Sequence, residues 1–439
     1  MSESTHTDLN TPGRSNRLAN LSRLVAANED GIQNRPLTDE VNNHVHTIYS
    51  FSPYSPSAAA WMARWSGLRA VGSVDHDSIG AAEEMLEACK ILRMGSTVGF
   101  ELRVSFADTA FGRRRLNNPD SLGIGYIAVH GVPRPRIPNV SRFLAPLQDE
   151  RNKRNRRQVD ALNGELDAVS APAISYADVE SSSMMHEGGT VTERHILYVT
   201  ARRLMEWLSP GDTLRRWVEE HVTGPLPGRL AGYLDDPHNP HYVYDLLGSL
   251  KSAFLPRFFI QPDEKECIPV TDAVRFANDI GAIPAYAYLG DVAESPTGDK
   301  KAETFEDSYL DELFDALVRL GFKALTYMPP RNTREQLRRV QHLCSEHSLM
   351  EISGVDINSS RQEFTCPEIM EPEFHHLIDT TWALIAHEKL ASLDPRFSLF
   401  AAENALAQEP LAERIERYAR VGLTMDPAHP EQIEEHARF

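Results

Sequence analysis

The region of the sequence that contains candidate catalytic and metal-binding residues begins with two histidines separated by one residue. His44 and His46 lie in the stretch Val41–Ser50, and the triplet Asp75-His76-Asp77 follows about thirty residues later. Side chains alternate between faces of a strand, so both imidazoles project from one face and can bind one metal ion. The chain has 17 histidines, so such a pair is weak evidence unless further ligands follow.

The composition indicates a globular enzyme. The chain has 439 residues, is 41% hydrophobic and carries a formal net charge of −18, which allows a sizeable core and two domains and argues against binding long nucleic acid. A small pocket for one or two phosphates, or for a short oligonucleotide, is still compatible with this charge. The four cysteines show no Cys-x-x-Cys pairing, so we expect no disulfide framework, a cytoplasmic location and no membrane association. Residues 1–36 are rich in Ser, Thr and Asn and predict a flexible, loosely docked arm.

Ionisable residues recur at the ends of predicted strands. The triplet follows a strand at 68–74, Glu101 follows one at 97–100, and His130 follows one at 125–129. His195 falls in the first turn of a helix that opens at Val191, and Asp356 ends a strand at 350–355. Barrels of alternating strands and helices build active sites in this way, so the sequence predicts an α/β barrel.

The predicted barrel is interrupted once. Residues 203–268 read as a mainly helical insertion or cap, and regular alternation resumes after them. We therefore expect a first barrel part at 37–202, the insertion at 203–268, a second barrel part at 269–367 and C-terminal helices at 368–439.

Taken in order, these motifs resemble the polymerase and histidinol phosphatase (PHP) superfamily, and most closely its branch of nucleotide bisphosphatases and small-RNA 5′-to-3′ exonucleases. The resemblance implies a distorted (β/α)7 barrel, similar to a TIM barrel, whose strand ends hold two or three divalent metals. The branch pattern is HxH…DHD…GxE…H…RxH…AHP…GSDxH. The counterparts here are His44-Val45-His46, Asp75-His76-Asp77, Gly99-Phe100-Glu101, His130, Arg194-His195, Ala287-Tyr288-Leu289 and Gly354-Val355-Asp356-Ile357-Asn358.

The resemblance also implies roles for these residues. One metal would be held by His44, His46, Glu101 and Asp356, and a second by Glu101, His130 and His195. Zinc, manganese or iron would suit these ligands. Two such ions can hold a bridging hydroxide that attacks a phosphoester. His76 or water would protonate the leaving oxygen, and Asp75 would either take part directly or orient a ligand.

Three positions depart from the pattern. Phe51 and Asn358 stand where the superfamily has Asp and His, which removes most of a third metal site, so we predict two metals. Tyr288 stands where the superfamily has a histidine that the resemblance implies as a phosphate contact. For substrate binding we expect contributions from Arg194, Tyr288, Asn358, Arg154 and Arg361. Arg154 belongs to a basic helix whose other interpretation is a solvated face, and Arg361 is equally well explained by a structural ion pair.

The sequence therefore predicts a metal-dependent hydrolase of phosphomonoesters or short phosphodiesters, with a small nucleotide or sugar phosphate as its substrate. One alternative is a barrel redirected to a non-phosphate ester or amide. A second is a degenerate barrel that binds a ligand without turnover. The oligomeric state is left open.

Overall fold

Seven strands form one sheet in the computed structural model, which describes residues 8–28, 31–32, 35–118, 121–291 and 306–437. Neighbours in the sheet follow chain order from the first strand to the seventh. The strands are β1 (Val41–Val45), β2 (Ala70–His76), β3 (Gly95–Ser105), β4 (Ile124–His130), β5 (Ile283–Ala287), β6 (Ala324–Tyr327) and β7 (Met350–Ser353).

The two edges of this sheet meet beside the predicted site. His46 N donates to Ile357 O at 3.0 Å, and Ile357 N donates to His44 O at 3.1 Å. These bonds pair the end of β1 with the segment that follows β7, so the sheet nearly closes on itself. The predicted α/β barrel is confirmed.

Strand β4 departs from simple alternation, because it runs antiparallel to both β3 and β5 while the other neighbours are parallel. A loop connects β3 to β4 where a parallel pair would need a longer crossover. Glu101 lies opposite Ala128, so side chains at alternate β4 positions, including Tyr126 and His130, share the face of Glu101.

Helices surround the barrel and fill the connection between β4 and β5. The helices before that connection are α1 (Arg14–Ala27), α2 (Pro56–Trp65) and α3 (Ala82–Leu92). The connection contains α4 (Ile137–Ala168), α5 (Tyr176–Ser181), α6 (Glu193–Leu208), α7 (Asp212–Val218), α8 (Gly228–Asp235) and α9 (Tyr242–Phe258). After it come α10 (Val270–Asp279), α11 (Leu310–Leu320), α12 (Arg334–Glu346), α13 (His376–Leu393) and α14 (Leu411–Thr424). None of these described helices is long and apolar enough to cross a membrane.

The connection has its own apolar cluster, separate from that of the barrel. Its buried side chains run from Val159 in α4 to Phe258 in α9, and Phe51 from the β1 side joins them. The apolar packing thus begins well before residue 203, where the sequence places the insertion. The predicted division into domains stays a prediction.

The N-terminal segment differs from the expected flexible arm. Helix α1 buries Leu21 and the whole Arg17 side chain, whose Nη2 lies 2.6 Å from Glu84 Oε2 in α3. The prediction of a loose arm is wrong for these residues. The polar composition of this segment does not indicate that Arg17 is buried, because its partner, Glu84, lies far along the chain.

Barrel closure depends on a glycine. A Cβ built on Gly354 would lie 2.5 Å from His44 N and 2.6 Å from His44 Cβ, closer than unstrained packing allows. We expect Gly354→Ala to lower the free energy of unfolding by about 1–3 kcal/mol, the usual cost of overpacking, in urea titrations.

Gly164 is the matched control, because it lies in α4 with nothing within 4 Å of its built Cβ. Gly164→Ala should be neutral or stabilise the protein by up to about 1 kcal/mol. Equal stabilities for the two variants would show that Gly354 is not needed for closure.

Candidate metal centre and adjoining cavity

Three of the predicted ligands meet inside the barrel. His44, His46 and Glu101 are buried, and each offers one ligand atom within 4.8 Å of the others. The two imidazole centroids are 5.1 Å apart, as expected for side chains on one face at the end of β1. Strand β3 brings Glu101 to the same place from the other side of β2.

Asp356 joins this cluster through barrel closure. Its Oδ1 lies 3.3 Å from His46 Nε2, and Glu101 Oε2 lies 3.9 Å from the same nitrogen. Burial lowers the pKa of His46 to about 3, so the imidazole is neutral and has a lone pair to offer. Two imidazoles and two carboxylates suit zinc, manganese or iron, so this donor set fits a divalent metal.

His76 contacts the cluster on the cavity side. Its Nδ1 lies 2.8 Å from Glu101 Oε2, and its ring stacks on His46 with centroids 4.6 Å apart. Burial opposes the charged imidazole, but the Glu101 carboxylate outweighs it and raises the pKa of His76. The reciprocal attraction outweighs burial at Glu101 and holds the pKa of that carboxyl below its usual range. The contact with Glu101 therefore favours the protonated form of His76 next to the cluster.

Asp75 lies behind the cluster. Its carboxylate accepts hydrogen bonds from Thr47 N and Thr47 Oγ1, both at 2.7 Å, and from Ser50 Oγ at 2.6 Å. The side chain is buried, and burial raises its pKa against these hydrogen bonds. Asp75 thus holds the turn that follows His46, which is the contact that an orienting role requires, and the role itself stays a prediction.

The two remaining predicted ligands behave differently from each other. His130 is buried, its Nε2 has no hydrogen-bond partner among the described residues, and burial lowers its pKa to about 3. His195 is also buried, but its Nδ1 accepts a hydrogen bond from Thr192 N at 3.0 Å. The structure brings His195 to the start of α6, and neither His195 nor His130 belongs to the cluster of His44, His46 and Glu101.

A narrow cavity opens beside the cluster, with His46 and His76 in its wall. Three arginines also line it: Arg103, Arg151 and Arg194. Arg103 donates to Tyr126 Oη at 2.7 Å, while its Nη1 is buried without a hydrogen-bond partner among the described residues and approaches Glu266 only at 3.7 Å. This wall is therefore suited to an anionic group.

Two predicted substrate contacts join this cavity from one side. Arg194 Nη1 donates to Asn358 Oδ1 at 2.6 Å, and Asn358 Nδ2 donates to Asp356 Oδ1 at 2.7 Å. Both Arg194 and Asn358 line the cavity. The departure of Asn358 from the histidine of the pattern thus replaces a metal donor with a hydrogen-bond link to Asp356.

Three other predicted substrate contacts lie elsewhere. Arg154 is fully buried and pairs with Glu266 through bonds of 2.5 and 2.7 Å. Tyr288 is buried and donates to Asp307 Oδ1 at 2.6 Å. Arg361 forms two bonds to Asp245, at 2.6 and 2.7 Å, which is the structural ion pair considered from the sequence.

Arg103 was not among the predicted residues, and of the arginines of α4 it is Arg151, not the predicted Arg154, that lines the cavity. Arg103 lies two residues after Glu101 on β3, so strand alternation alone places both on one face, a signal present in the sequence. Arg151 lies three residues before Arg154, and its Nη1 contacts Asp77 Oδ2 of the Asp75-His76-Asp77 triplet at 2.5 Å.

Two solved structures resemble this chain. A protein of Bifidobacterium adolescentis, named as a metal-dependent phosphoesterase, has 19% identity over 76% of this chain and 96% of its own, with a TM-score of 0.49. An amidohydrolase of Chromobacterium violaceum, with bound sulfate and no metal, has 16% identity over 77% of this chain and 95% of its own, with a TM-score of 0.47. No family model and no curated protein matches the chain. Both structures are too distantly related to this chain to assign it an activity, so the activity must be inferred from the side chains of the site.

The turn held by Asp75 gives a test of its orienting role. Asp75→Asn keeps the size of the side chain but offers one acceptor oxygen to three donors, so we expect a loss of about 1–3 kcal/mol in unfolding free energy. Because the turn follows His46, metal affinity should also fall by about tenfold in competition with a chelator.

Asp39→Asn is the control, since Asp39 is half exposed and pairs with Arg69 on the surface. It should change stability by less than about 1 kcal/mol and leave metal affinity unchanged. An Asp75→Asn variant that binds metal as tightly as the wild type would contradict the orienting role.

Proposed function

We propose that this protein is a metal-dependent hydrolase of small phosphoesters. The observation that carries the proposal is the juxtaposition of two features. A donor set whose members His44, His46 and Glu101 are buried fits a divalent metal, and the cavity beside it is lined by three arginines and, among the described residues, a single carboxylate, that of Glu193. A neutral ester or amide needs no such cationic wall, which favours a phosphorylated substrate over the alternatives.

The metal would be held by His44, His46, Glu101 and Asp356, and when bound it supplies Lewis-acid polarisation of a phosphoryl oxygen. The chain's own residues supply the rest. Arg103, Arg151 and Arg194 neutralise the charge of the phosphoryl group and orient it at the cavity wall. His76 lies in that wall with one third of its side chain exposed, its contact with Glu101 favours the protonated imidazole, and we assign it the protonation of the leaving oxygen.

The size and charge of the molecule restrict the substrate. The cavity is narrow and the chain carries a net charge of −18, which disfavours approach of a long polyanion. We therefore propose a small nucleotide or sugar phosphate, or a short oligonucleotide end, acted on in the cytoplasm.

Glu101 connects the donor set to His76, so it gives the sharpest test. Glu101→Gln keeps the shape but removes the charge, and we expect loss of most bound metal and at least about a 100-fold drop in turnover, because even outer partners of metal ligands contribute roughly 10–100-fold. The measurements are elemental analysis of the purified protein and release of inorganic phosphate from nucleotides and sugar phosphates.

Glu346→Gln provides the matched control, because Glu346 is an exposed carboxylate in α12. It should retain metal and activity. Activity near the wild-type level in Glu101→Gln would refute the proposed centre, while hydrolysis of esters or amides without phosphate release would favour the redirected barrel.

Arg103 gives a separate test of the phosphate assignment. Arg103→Met removes a guanidinium group from the cavity wall, so kcat/KM for a phosphoester should fall about 10- to 100-fold, as expected for a hydrogen bond between charged groups. Arg142→Met, at an exposed position of α4, should have no effect. An unchanged kcat/KM in folded Arg103→Met protein would count against a phosphorylated substrate.

A further inference from the structure

The start of α6 decides how many metal ions the barrel can hold. A second ion, as the PHP resemblance implies, needs His195 as a ligand beside Glu101 and His130. His195 is the third residue of α6, and the hydrogen bonds of its imidazole show which of its nitrogens has a free lone pair.

One nitrogen of His195 is already engaged as an acceptor. Thr192 N donates to His195 Nδ1 at 3.0 Å, and Thr192 Oγ1 lies 3.2 Å from the same atom. A neutral imidazole has one acceptor nitrogen and one N–H, so the proton lies on Nε2. Neither nitrogen then has a lone pair for a metal, because Nδ1 uses its own and Nε2 is protonated.

The surroundings of His195 agree with this. The three residues that precede His195, namely Thr192, Glu193 and Arg194, line the cavity. The Phe51 ring lies edge-on to His195 with centroids 5.1 Å apart and offers no donor atom. A second ion would retain only Glu101 and His130, fewer than the three protein ligands usual for a catalytic site.

Arg194 links the start of α6 to Asp356 through Asn358. Its Nη1 donates to Asn358 at 2.6 Å, and Asn358 donates to Asp356 Oδ1 at 2.7 Å. Two positions that the superfamily pattern gives to metal ligands, His195 and Asn358, are therefore both engaged in hydrogen bonds here. One caps the helix, and the other holds the carboxylate of Asp356.

We infer that this protein holds one metal ion instead of two, with His195 acting as a helix cap. The ligands of that ion are the four donors already described: His44, His46, Glu101 and Asp356. The inference rests on the proposed function only in requiring that the barrel binds metal at all.

The test counts ions independently of activity. The protein is loaded with Mn²⁺, desalted, and analysed for metal per chain and by electron paramagnetic resonance. One equivalent with the spectrum of an isolated ion is expected. Two equivalents with an exchange-coupled spectrum, which ions about 3.5–4 Å apart would give, would overturn the inference and leave the proposed function standing. No bound metal would overturn both.

His195→Gln separates a cap from a ligand. Glutamine at the third helical position accepts the same backbone N–H in capping boxes but provides no imidazole. We expect this variant to keep one equivalent of Mn²⁺ and phosphate release within about threefold of the wild type, which is less than the tenfold effect of losing even an outer partner of a ligand. A fall in metal content relative to the wild type would identify His195 as a ligand and overturn the inference.

His44→Gln is the matched variant, because it makes the same substitution at a residue of the metal cluster, and it should lose the ion. Circular dichroism melts of both variants show whether each is folded when its metal is counted. The spectrum of the wild-type protein decides between one ion and two even if a variant does not fold.

Discussion

Two backbone hydrogen bonds between the end of β1 and Ile357 hold the candidate site together. They join the first strand to the segment after the last one, and so bring His44 and His46 beside Asp356, which is about 310 positions later in the chain. Gly354 makes this pairing possible, because any side chain there would press on the His44 backbone. The donor set therefore exists only when the barrel is closed, which couples metal binding to folding.

Charge compensation is the second constraint on the site. Arg103, Arg151 and Arg154 are buried, and desolvating three guanidinium groups is costly unless anions accompany them. Glu266 contacts all three, and Asp77 contacts Arg151. Burial would lower the pKa of Arg103, but Tyr126, Glu193 and Glu266 outweigh it, so the side chain stays charged. The compensation is incomplete at Arg103, whose Nη1 lies 3.7 Å from Glu266 and has no hydrogen-bond partner among the described residues.

The order of the strand-end residues could be predicted because strand alternation and the order of the motifs can both be read from the sequence. Ion pairs between residues that are far apart in the chain could not be predicted. Arg17 with Glu84 and Arg361 with Asp245 depend on which helix faces pack together, and no local pattern records that. The sequence likewise does not show that Arg151 lines the cavity while Arg154 pairs with Glu266, since both lie on a basic helix and only the packed structure distinguishes them. The antiparallel direction of β4 also has no local signature.

The geometry at the start of α6 has two linked effects. It removes His195 as a metal ligand, and it favours an anion in the adjoining cavity. A helix N-terminus presents unpaired N–H groups and the positive end of the helix dipole, which disfavours a cation and attracts an anion. Here a backbone N–H takes the lone pair of His195, and Arg194 adds a positive charge at the cavity wall. The same local geometry that keeps His195 from binding a second ion also increases the positive charge that a phosphoryl group would meet. The metal cluster and the arginines thus meet at one cavity, because His46 of the cluster lines it together with the three arginines and His76.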